Sequence, residues 1–169
     1  MVRRYASLFC VAGLSLMLLT ALAGRAGADE DEEWLLDAAE EGNIDTVRQL
    51  LEKGVNLNTR GEGGVTPLQN AAGSGEPELV SLLLEAGADP SHVDEEGMTA
   101  LMRVVYSCGQ LLPEDSESQE PYRETARRLI RAGVPVNVRD SEGLTALGWA
   151  LRFEDETLVP TLTAAGATE

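Results

Sequence analysis

Gly54, Gly87, Gly133 and Gly166 mark one point of a recurring unit, at steps of 33 residues (54 to 87), 46 (87 to 133) and 33 (133 to 166). Thr66 and Thr99 repeat the 33-residue step, and Thr145 follows at the 46-residue step. One unit therefore recurs four times, and its third copy carries 13 extra residues. Self-similarity at this period marks a solenoid, because each unit can bury its apolar face only against its neighbours.

The second copy shows how the unit is built. It reads Gly64-Val65-Thr66-Pro67-Leu68-Gln69-Asn70-Ala71-Ala72. The Thr66 hydroxyl can cap a helix, and Pro67 suits the first helical turn, where its missing N–H costs nothing. Gln69 completes a capping box with Thr66. Leu68, Ala71 and Ala72 then give an apolar stripe at helical spacing. Gly75 and Pro77 end that helix and start another, whose stripe is Leu79, Val80, Leu83 and Leu84. Gly87 stops it, since glycine adopts the left-handed C-terminal cap without strain. The third copy runs from Gly97-Met98-Thr99-Ala100-Leu101 to Gly133, and the fourth from Gly143-Leu144-Thr145-Ala146-Leu147 to Gly166. In the first copy Trp34-Leu35-Leu36 replaces the threonine motif, behind an acidic start that suits a helix N-terminus.

Thr66-Pro67-Leu68, Ala71-Ala72 and Leu83-Leu84-Glu85-Ala86-Gly87-Ala88-Asp89 resemble the ankyrin repeat nearly residue by residue. The resemblance spans about residue 31 to the C-terminus. It implies an all-α solenoid of four helix-turn-helix repeats joined by short β-hairpin loops, at about 31–60, 61–93, 94–139 and 140–169. The family's histidine after Thr-x-Leu is missing: Leu36, Gln69, Met102 and Gly148 stand there, so its bonds to neighbouring loops must be replaced or lost. Pro160 falls inside the last second helix and should kink or shorten it. The acidic, proline-flanked insertion in the third repeat, about 107–122, reads as a loop that cannot bury a core of its own. Val104, Val105, Leu111 and Leu112 can lengthen the preceding helix.

Residues 1–28 read as a secretory signal peptide: Arg3 and Arg4, an apolar run over residues 6–23, and Ala26-Gly27-Ala28 as the cleavage site. The ankyrin repeat domain would then cover 29–169, in the periplasm or outside the cell. The rival reading is an uncleaved anchor, because the apolar run approaches a spanning length. Cleavage removes three of the 13 basic residues and none of the 29 acids, leaving ten against 29, a net charge near −19 over 141 residues. Such a surface repels nucleic acid and anionic lipid and attracts basic proteins. The partner expected is therefore a protein with a basic surface, with no nucleic acid, no membrane after cleavage, and a chain that is monomeric on its own. Cys108 becomes the lone cysteine, expected to be buried.

No constellation for catalysis is legible, and no cofactor or metal is expected. His92 is the only histidine. Asp94, Glu95 and Glu96 beside it read more readily as solvated turn charges than as a cation site. Gly61-Glu62-Gly63-Gly64 lacks the lysine and preceding strand of a phosphate loop.

The family resemblance places partner contacts on the concave face, at hairpin tips and at the ends of the first helices. Val65, Met98 and Leu144 fall at the first set, and Tyr106, Arg152 and Phe153 at the second, bordered by Glu62, Glu95, Glu96 and Glu142. An apolar centre with a charged rim is the usual anatomy of a protein interface. The expectation is a non-catalytic, exported binding module, either an inhibitor or immunity protein or a stabiliser of an envelope enzyme. A membrane-tethered scaffold is the alternative.

Overall fold

The computed structural model describes residues 30–111 and 116–169. The apolar run, its cleavage site and residues 112–115 of the insertion lie outside them. Four helix pairs follow one another: α1 (30–40) and α2 (Ile44–Lys53), α3 (Pro67–Gly73) and α4 (Pro77–Glu85), α5 (Ala100–Gln110) and α6 (Ser116–Arg131), α7 (Ala146–Arg152) and α8 (Leu158–Ala164). The first helices stack in a row, α3 on α5 and α5 on α7, while α4 packs on α6. No helix among the described residues is long and apolar enough to cross a membrane.

Local chemistry sets the boundaries. Thr66, Thr99 and Thr145 each accept a hydrogen bond from the backbone N–H three residues on, at 3.4, 3.3 and 3.2 Å, and so start α3, α5 and α7. The four repeat glycines end the second helices at positive φ, between 77° and 97°. At each one the glycine N–H donates to the carbonyl three residues back, and the next N–H donates five back, as Ala88 does to Leu83 at 3.0 Å.

The fingers between repeats contain no strand among the described residues. Each turn is closed by two backbone bonds: Gly61 N to Val65 O, Asp94 N to Met98 O and Asp140 N to Leu144 O, and within them Gly64 N to Gly61 O, Gly97 N to Asp94 O and Gly143 N to Asp140 O. Single bonds join neighbouring fingers, from Glu95 N to Gly63 O and from Ser141 N to Glu96 O, both 2.9 Å. Gln69 replaces the family histidine here. Its Oε1 accepts from Thr66 N at 2.9 Å and its Nε2 donates to Met98 O at 2.7 Å. Met102 offers only its sulfur to Thr99 N, and Gly148 has nothing to offer, so that link is kept once and then lost.

The insertion departs from the loop expected of it. Most of its described part is helical: α5 has 11 residues against seven in α3, and α6 begins at Ser116. The buried stripe of α5 continues through Val104, Val105 and Cys108. That of α6 runs back from Leu129 and Ala126 through Tyr122 to Gln119, which is buried although polar. The Tyr122 ring lies where a side chain at position 75 would stand, so Gly75 makes its room. Glu124 ties the outer surface of α6 to Arg127 and Arg128. Its carboxyl is held below the usual range, first by the bond from Arg128. Arg128 also donates to Pro77 O at 2.9 Å, joining α6 to α4.

The last helix, which contains Pro160, is short, with seven residues against nine in α4. Pro160 is the third residue of α8, directly after Val159, whose N–H donates to Asp155 O. Asp155 supplies the cap, its Oδ1 accepting from Thr157 N and Leu158 N at 2.9 and 2.8 Å.

Glu154 occupies the turn point held by Gly42 and Gly75 in the first two repeats, and has a left-handed φ of 56°. A side chain there is strained. Glu154→Gly is therefore expected to raise the unfolding free energy by about 0.5–1 kcal/mol, read from chemical denaturation. A destabilised Glu154→Gly protein would show that the side chain outweighs the strain.

Candidate protein-binding groove

Two fingers and two inner helices enclose a groove of about 560 Å³ between the third and fourth repeats. The fingers contribute Glu96, Asp140 and Glu142, while α5 contributes Arg103 and Tyr106. Trp149, Arg152 and Phe153 come from α7 and its C-terminal cap. Six of the ten residues expected at the binding surface meet here: Glu96, Met98, Tyr106, Glu142, Arg152 and Phe153.

The floor is an aromatic cluster. Tyr106 meets Trp149 edge-on at 5.0 Å between ring centroids and Phe153 at 5.8 Å, and Trp149 stacks on Phe153 at 5.8 Å. Such contacts hold the rings in fixed orientations. Gly109 makes the arrangement possible, since a Cβ there would collide with the Phe153 ring. Tyr106 is 39 % exposed, which leaves aromatic surface open to a partner.

Paired carboxylates brace the fingers. Asp94, with a fully buried side chain, accepts from Glu96 N and Met98 N through Oδ1, at 2.9 and 3.0 Å. Its Oδ2 takes Arg103 Nε and Nη2 at 2.8 and 2.7 Å. Asp140 repeats the pattern 46 residues later, with Oδ1 accepting from Glu142 N and Leu144 N and Oδ2 from Trp149 Nε1 at 2.6 Å. Asp94 therefore turns inward, and is not a solvated turn charge. His92 Nε2 lies 2.9 Å from Gly64 O. No group of described side chains is arranged to hold a metal ion.

Four expected residues lie elsewhere, and a fifth is covered. Met98, placed by its sequence position on the open strip, is only 7 % exposed, because it sits at the base of its finger between repeats. Val65 is half-buried in the second finger, next to Gly63. Leu144 faces a separate surface with Arg139, Leu151 and Glu169. Glu62 and Glu95 are exposed on fingers outside the groove. The five-residue apolar strip is thus broken, and its surviving centre is Tyr106 with Phe153. Sequence reasoning missed Trp149, Arg103 and Asp140. A signal for them existed: aspartate followed nine residues later by a side-chain donor, Asp94 to Arg103 and Asp140 to Trp149.

Cys108 lies behind the groove, buried as expected. Its Sγ is 3.6 Å from Asp155 Oδ2. Burial first, and then the Asp155 charge, push the thiol from 9.0 up to about 12, so it stays protonated and inert at neutral pH.

The family profile described as ankyrin repeats (3 copies) matches residues 19–113. Cyclin-dependent kinase 4 inhibitor B of Bos taurus is 34 % identical over 117 residues, covering 69 % of this chain and 77 % of that protein. An ankyrin repeat-containing protein of Treponema pallidum (strain Nichols) is 31 % identical over 137 residues, 80 % of this chain and 42 % of its own length. The human 2-5A-dependent ribonuclease is 43 % identical over 81 residues, 47 % of this chain, and the chain spans only 11 % of that protein. The mouse ribonuclease and a Hydra vulgaris tyrosine-protein kinase are each spanned to 10 %. With four helix pairs, glycine-capped ends and a profile match over more than half its length, the chain belongs to the ankyrin repeat family.

Proposed function

We propose that this chain is a non-catalytic binding module that engages a basic protein partner through the groove between its third and fourth repeats. Ankyrin repeats mediate protein–protein interaction. The observation that carries the reading is the aromatic floor of Tyr106, Trp149 and Phe153 beside exposed Glu96 and Glu142. Aromatic anchors within a polar rim concentrate binding energy, and the chain's net charge of −16 favours a basic partner. A relative named as a kinase inhibitor supports the inhibitor form of the reading over the stabiliser form.

The test uses a partner captured from the cell envelope and identified by mass spectrometry. Tyr106→Ala and Phe153→Ala are each expected to weaken its binding by about 1 kcal/mol or more in calorimetric titration. Circular dichroism should show both variants folded. Folded variants of full affinity would move the contact off this groove.

Export to the periplasm or exterior is the second part of the proposal, and it rests on the basic, apolar and Ala-Gly-Ala succession of residues 1–28. The exported protein should have lost 28 residues by intact mass. A full-length protein in the membrane fraction would instead support the tethered scaffold.

A further inference from the structure

Two arginines line the groove, and they are held very differently. Arg103 is tied by two nitrogens to the buried carboxylate of Asp94. Arg152 lies over the Trp149 ring, its guanidinium carbon 5.0 Å from the centroid, and its Nη1 donates to Glu142 Oε2 at 3.0 Å. Both partners of that pair are more than half exposed, at 56 % and 59 % of the side chain. An exposed pair of this kind contributes little to stability, so Arg152 can leave without disturbing the fold. Its departure would uncover the face of Trp149 and free Glu142. The Glu96 carboxylate on the opposite finger has no ion pair among the described residues, and the oxygens of Asp140 are already taken by Trp149 Nε1 and two backbone donors.

We propose that this groove is a subsite for an arginine side chain of the protein partner, and that Arg152 is its in-chain stand-in. The partner's guanidinium replaces Arg152 over Trp149 and pairs with Glu142 and Glu96. Arginine fits better than lysine for a geometric reason. A planar, weakly hydrated guanidinium stacks on an indole while its edge bonds carboxylates, whereas a compact ammonium keeps its water. The excess of acids over the whole chain supplies the long-range attraction for a basic segment. This inference rests on the groove being the binding face.

The experiment uses the full chain carrying Trp34→Phe, so that Trp149 is its only tryptophan. Acetyl-triarginine amide and acetyl-trilysine amide are the probes, titrated against Trp149 emission and by calorimetry. Triarginine should bind at least about threefold tighter than trilysine and change Trp149 emission saturably. Arg152→Ala and Arg152→Gln, each verified as folded, should tighten triarginine binding several-fold by removing the competitor. Glu142→Gln should weaken it. Equal binding of the two peptides, or unchanged or weaker triarginine binding in both folded Arg152 variants, would overturn the proposal. The peptide contrast tests the occupant, while partner affinity in Tyr106→Ala and Phe153→Ala proteins tests the face, so either can fail alone.

Discussion

Leu83→Ala is expected to lower the unfolding free energy by about 2–5 kcal/mol, read from the denaturant midpoint at unchanged slope. Leu83 is fully buried on α4, within the apolar cluster that runs through all four repeats. Alanine keeps the helix but removes most of the side chain, and neighbouring repeats cannot close the space without breaking their own stacking. Its backbone carbonyl accepts the Ala88 N–H that closes the helix cap, so the substitution leaves that bond in place and isolates the packing effect. Leu84, next in sequence but only half-buried, serves as the internal control, and Leu84→Ala should cost clearly less. If Leu83→Ala and Leu84→Ala were equally destabilising, the register of α4 would be wrong.

Asp94→Ala should cost about 2–4 kcal/mol, although it removes no apolar surface. Asp94 accepts from two backbone N–H groups of its own finger and from Arg103 on α5, so one side chain joins finger to helix. Alanine leaves Met98 N without that acceptor at a buried position, and leaves the half-buried Arg103 without its counter-ion. Asp94→Asn retains an oxygen for the two backbone donors and loses the charge facing Arg103. It should therefore fall between Asp94→Ala and the parent chain. Thermal and denaturant unfolding of the three proteins decides the matter. An Asp94→Ala midpoint equal to the parent's would mean that water replaces the aspartate and that the finger holds without it.

The elements most legible in the sequence are those decided within one turn of helix. Thr66, Thr99 and Thr145 cap because a hydroxyl reaches an N–H three residues on, and Gly87 terminates because it lacks a Cβ. Both rules act over a few residues and need no tertiary partner. Repetition then extends them to four units, and the repeats can bury their stripes only by stacking. Gln119 and Tyr122 show where this kind of reading fails. By composition they belong to a polar loop, yet α6 gains its early turns because Tyr122 finds the space above Gly75, 47 residues away in the chain. Met98 fails in the opposite sense, since its place in the repeat marks a surface that the neighbouring repeats cover.

Repeat number, helix spacing, caps and the acidic surface were determined by the sequence alone, because short-range sterics, local hydrogen bonds and summed charge do not depend on how distant residues meet. Only the tertiary structure decided that Tyr106, Trp149 and Phe153 pack as one floor, that Gly109 leaves room for Phe153, and that Asp94 turns inward to Arg103. Those contacts join residues of different repeats or of finger and helix. Their geometry depends on the stacking of α5 on α7 and on the seating of each finger against its helix, quantities that no local pattern encodes.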